Sequence, residues 1–165
     1  MQATLTVRIG FASDPFDNPQ TWTDISTDVL AVNIEGGRQH ELDRMEAGTV
    51  SVLVKNLSNQ YWPANTGSPY YPNVLPGKSI NIRATYNSIT YDLFTGYIES
   101  WQPLWQRQGG IGSQMQIIAA DSLKNLARLE LTDGTGYSAE LSGTRIANVL
   151  DDLAFPSALR DLDTG

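Results

Sequence analysis

Residues 79 to 98 read SINIRATYNSITYDLFTGYI, and the two residues at the centre decide how the stretch folds. Asn87-Ser88 is a two-residue connection between strand-like runs, and an asparagine that accepts positive φ makes it a tight hairpin. Ser79 to Tyr86 and Ile89 to Ile98 are therefore expected as antiparallel partners. The preceding chain reads in the same way. Thr4 to Phe11 sets Leu5, Val7, Ile9 and Phe11 on one face and Thr4, Thr6 and Arg8 on the other. Val29 to Glu35 alternates through Leu30, Val32 and Ile34. Thr49 to Lys55 points Val50, Val52 and Val54 inward, and Leu53 on its second face hints at cover there. The run to Trp105 and the strand Ser113 to Ala119 suggest another hairpin, with a glycine-rich tip at 107–112.

Between these strands lies NQYWPANTGSPYYPNVLPGK, residues 59 to 78. Pro63, Pro69, Pro72 and Pro76 block both helix and ladder, so the segment is expected as a long ordered loop or a recognition arm. Beyond Ala120 the pattern changes. Asp121 is placed to cap a short helix in DSLKNLARLEL, and Ser142 to cap SGTRIANVLDDLAFP. In the second of these, Ile146, Val149, Leu150 and Leu153 make an apolar stripe expected to dock on the rest of the protein, and Pro156 is expected to stop the helix. The expected architecture is thus mainly β, with a barrel or sandwich over 1–120 followed by short α-helices in 121–165. The last residues, DLDTG, read as the cut end of a longer polypeptide with a further domain after it.

Composition narrows the function. The 165 residues are 41% hydrophobic, enough for one real core. There is no cysteine, which excludes disulfides and thiolate metal sites. No apolar run reaches the ~18 residues needed to span a bilayer, so no membrane insertion by this segment is expected. Eleven basic residues against 18 acidic ones leave a formal net charge of −7. Phosphate recognition needs concentrated cations, so sequence-specific nucleic-acid binding is not expected.

Catalytic chemistry finds little support. A zincin needs two histidines one helical turn apart around a glutamate, whereas His40 is the chain's one histidine and Arg44 stands where a second ligand would be. No GxSxG elbow accompanies it. Gly109, Gly110 and Gly112 lack the Lys-Ser/Thr pair of a phosphate loop. Asp151 and Asp152 are adjacent on an expected helix and diverge by about 100°. No catalytic, metal-binding or cofactor-binding residue is assigned, and a non-enzymatic protein is expected.

Two clusters are better candidates for assembly. Arg38, Glu41, Asp43, Arg44 and Glu46 bring both signs of charge into nine residues, suited to reciprocal ion pairs within the domain or across a subunit seam. Gly48 follows, as a tight turn into the Val50 strand. Trp62, Tyr70 and Tyr71, with Tyr61, belong to the proline-rich loop. Aromatics of this kind either pack down on the barrel or meet a partner. A carbohydrate-binding β-sandwich that stacks sugars on Tyr61-Trp62 and Tyr70-Tyr71 is the alternative from a different functional class.

Four stretches together resemble a known family: WTDIS at 22–26, GRQHELDRMEAGT at 37–49, VKNLSNQYWPANTGSPYYPNVLPGKSINIRAT at 54–85, and YDLFTGYIESWQP at 91–103. Their order and spacing are similar to the N-terminal region of tail-tip, or baseplate hub, proteins of long-tailed bacteriophages. Met45 and Tyr61-Trp62 depart from the family's pattern. The resemblance implies a tail-tube-like β-barrel and a structural virion protein at the distal end of the tail, assembled in the host cytoplasm. It also implies a homotrimeric ring forming part of the DNA conduit. The implied partners are the tail tube or distal tail ring protein on one side and fibre or spike proteins on the other. A distal tail ring adaptor would share the same fold.

Overall fold

The computed structural model describes residues 3–36, 47–104, 113–127, 130, 139–153, 155, 160 and 162. The chain divides into two compact units, Met1–Lys124 and Asn125–Gly165. The first is a seven-stranded antiparallel sheet. Its strands are β1 (Thr4–Ile9), β2 (Thr23–Asp24), β3 (Val29–Glu35), β4 (Thr49–Lys55), β5 (Ser79–Tyr86), β6 (Ile89–Leu104) and β7 (Gln114–Ala120). They are ordered β2-β1-β5-β6-β7-β4-β3.

The expected hairpin is present. Asn87 and Ser88 both take positive φ, 51° and 64°, which gives the connection a twist that matches the strands it joins. Whereas the sequence divides the following region into separate runs, β6 continues for 16 residues to Leu104. It pairs with β5 through Ile89–Tyr97 and with β7 through Tyr97–Leu104. One strand thus belongs to both halves of the sheet. Gly96 sits at the changeover, where a Cβ would collide with the backbone carbonyl of Ala120.

The two halves share one core. Val7, Ile9, Ile80, Ile82, Phe94 and Ile98 come from one half, and Val50, Val52, Val54, Met115, Ile117 and Ala119 from the other. Period-two alternation on β4 and β7 puts every second residue into this core, and each of the valine, isoleucine and methionine side chains among them is worth about 1.5–3 kcal/mol of transfer free energy when fully buried. β1 and β3 approach one another at the far side, where residues of both line a groove, but they do not pair. The sheet is therefore a barrel left open along one seam.

Three expectations in this unit are corrected. β1 ends at Ile9, not Phe11: the Gly10 amide still donates to Ser79 O at 2.9 Å, but Phe11 turns away into an aromatic stack. Leu30 does not share a face with Val32 and Ile34. The register passes from Val29↔Val54 to Ala31↔Leu53, so Leu30 is the extra residue of a bulge and stands exposed. Gly48 does not take a positive φ, so its role is not a left-handed turn, and its surroundings are close rather than open. A Cβ there would lie 3.0 Å from Asp121 Oδ2, the atom that accepts the Gly48 amide at 2.7 Å. The other oxygen of Asp121 accepts the Leu123 amide at 3.0 Å, capping α1 (Ser122–Leu126) as expected.

In the second unit, α2 runs from Ser142 to Asp152. Ser142 is its first helical residue and not its cap; Leu141 holds the cap position without a side-chain hydrogen bond. The C-terminal end is held by Arg160, which donates to the carbonyls of Phe155 and Ala147 and pairs with Asp151 at 2.7 Å. A cation near that end also complements the helix dipole. Along the apolar stripe, Val149, Leu150 and Leu153 are half-buried while Ile146 stays exposed. Pro156 lies outside the described residues.

Candidate functional site

The long loop is ordered by its own turns. Amides of Asn59, Trp62, Asn65, Ser68 and Tyr71 donate in sequence to carbonyls of Asn56, Asn59, Trp62, Asn65 and Ser68, each three residues back. Pro63 and Pro69 fall between these donors, and Pro72 and Pro76 after the last of them, so none removes an N–H that these turns need. The chain of turns carries Tyr61 and Tyr70 onto the end of the barrel. Phe11 and Tyr70 stack with centroids 4.3 Å apart, Tyr61 and Tyr70 at 5.5 Å, and Tyr61 and Trp101 at 6.3 Å. The Tyr61 hydroxyl donates to Asp28 Oδ2 at 2.7 Å, and Gln60 Nε2 donates to the same oxygen at 2.6 Å. Burial, and then the bond to Asp28, push the Tyr61 phenol far above its ordinary range.

The loop aromatics therefore separate. Tyr70 is engaged on both sides, by Phe11 and by Tyr61. Trp62 is half-buried against the core, whereas Tyr71 is 47% exposed. A sugar platform needs several adjacent aromatic faces open to solvent, and the stack occupies those of Tyr61 and Tyr70. The other cluster, Arg38, His40, Glu41, Asp43, Arg44 and Glu46, lies outside the described residues.

The outward face of β1, β5 and β6 carries a polar network that sequence reading missed. The Arg8 guanidinium lies 4.8 Å over the Trp22 ring and donates to Asn81 Oδ1 at 3.1 Å. Buried Asn81 donates in turn to Asp92 Oδ1 and Thr95 Oγ1, both at 2.8 Å. Arg83 pairs with Asp92 at 2.6 Å. The Asn81 hydrogen bond and Arg83 together hold the Asp92 carboxyl below its usual range. Asp24 is lowered likewise by hydrogen bonds from the Ser26 hydroxyl and amide. Alternation alone marks Asn81 as outward, but only the fold shows that Arg8 and Asp92 close over it.

Three acidic side chains of the sheet have local partners. Asp92 has Arg83, Glu99 has Lys124 at 2.8 Å, and Glu35 accepts from Asn33 at 3.1 Å. Among the described residues, no three His, Asp or Glu side chains converge where they could hold a metal ion.

The fold and these surfaces define a mainly β protein in which one curled antiparallel sheet is plugged at one end by its own aromatic loop. No protein-family model and no curated protein matches the chain. Among solved structures, it is similar to the 43 kDa tail protein of prophage MuSo2 from Shewanella oneidensis, with a TM-score of 0.50 at 12% sequence identity. The match covers 93% of this chain and 38% of that protein, so the chain spans well under half the length of the tail protein whose fold it shares.

Proposed function

We propose that the chain is a structural component of a bacteriophage tail, placed at the tip as the N-terminal part of a baseplate hub. In this reading, three copies form a ring that joins the tail tube, or the distal tail ring protein, to fibre or spike proteins, and the ring forms part of the DNA path. The observation that carries the reading is the fold shared with a prophage tail protein over nearly the whole chain. A fold does not by itself fix a role. The order of the WTDIS, GRQHELDRMEAGT and YDLFTGYIESWQP stretches adds the resemblance to tail-tip hubs, and the excess of acidic over basic residues suits a conduit that must not grip phosphate.

Gold-labelled antibody against the chain, applied to purified virions of the phage that encodes it, tests the placement. Label confined to the distal end of the tail is expected. Label spread along the tube would overturn the tip assignment, and unlabelled virions would overturn the virion role. For the conduit, duplex DNA should not be retained with the protein on a filter at low salt. Retention that falls steeply with added salt would reveal a cationic surface and sink that part of the reading.

A further inference from the structure

We draw no further inference here: the strongest candidate, the exposed apolar face that Tyr86, Ile89 and Tyr91 make at the end of the β5–β6 hairpin, carries none, because nothing in the structure shows what covers it.

Discussion

The two ends of the barrel are made by the same strands and finished in opposite ways. At one end β1 runs into Phe11 and β6 into Trp101, and the loop after β4 lays Tyr61 and Tyr70 between them. Asp28 takes the one polar atom that Tyr61 brings inside. At the other end β1 begins with Thr4 and Leu5, and β5 and β6 continue as an arm whose Tyr86, Ile89 and Tyr91 are 51%, 53% and 51% exposed, with no aromatic stack over them among the described residues. Aromatic side chains occur at both ends, and composition does not distinguish them. The difference is a covering segment: about twenty residues of turns cover the first end, and a two-residue turn finishes the second. Large apolar groups stabilise the fold where the chain returns to cover them, and where it does not they stay exposed.

The largest expected effect lies at the covered end. Tyr61→Ala should remove about 3–5 kcal/mol of stability, as for other large-to-small changes of buried aromatics, read from urea unfolding. A loss below about 1 kcal/mol would mean that the loop is not part of the fold's core. Next comes the hinge between the ends. Gly96→Ala drives a methyl against the Ala120 carbonyl and should cost about 1–3 kcal/mol by the same measurement. An unchanged midpoint would show that β6 and β7 have room there to move apart.

Titration should separate the ends by smaller amounts. The Tyr61 phenol is raised, so its stabilisation is intact below the unfolded-state value near 10 and is lost as pH climbs beyond it toward the folded value. Tyr61→Phe should therefore flatten the alkaline fall in melting temperature. Asp92, beside the arm, is lowered instead. Its contribution is present above the unfolded value near 4 and disappears as pH drops through the folded one. Asp92→Asn should flatten the acid limb, weakly because the carboxyl is half in water. The reverse pattern would invalidate both assignments. The smallest effect belongs to the bare arm: Tyr86→Ser, Ile89→Ser and Tyr91→Ser should each shift the unfolding free energy of the monomer by less than about 0.5 kcal/mol. A loss like that of Tyr61→Ala would show that the arm is packed within its own chain and that the two ends do not differ.

The bulge at Leu30 shows where reading by alternation fails. Leu30, Val32 and Ile34 have the spacing of a buried face, and the strand forms over the expected residues, yet one extra residue against β4 turns Leu30 outward. Register is a property of two strands and is absent from the pattern of either one. The same holds for Asp121, whose capping role is written beside α1 while its second oxygen serves Gly48, 73 positions away. Of the candidate interface residues, Trp62, Tyr70 and Tyr71 look alike in sequence. Their differing exposure follows from the path of the turns that carry them.

What the sequence determined alone are the features written in short-range chemistry: the strands with apolar period two, the Asn87-Ser88 turn that needs positive φ, the helix begun at Asp121, and a proline-rich loop that could be neither helix nor ladder. Each follows from steric and hydrogen-bonding preferences of a few neighbouring residues. Tertiary structure decided which apolar face found a cover: the aromatic stack over one end, the unpaired seam between β1 and β3, and the bare arm beyond Leu5. Burial is settled by segments far apart in the chain meeting in space, and the same tyrosine is core or surface according to whether such a segment arrives.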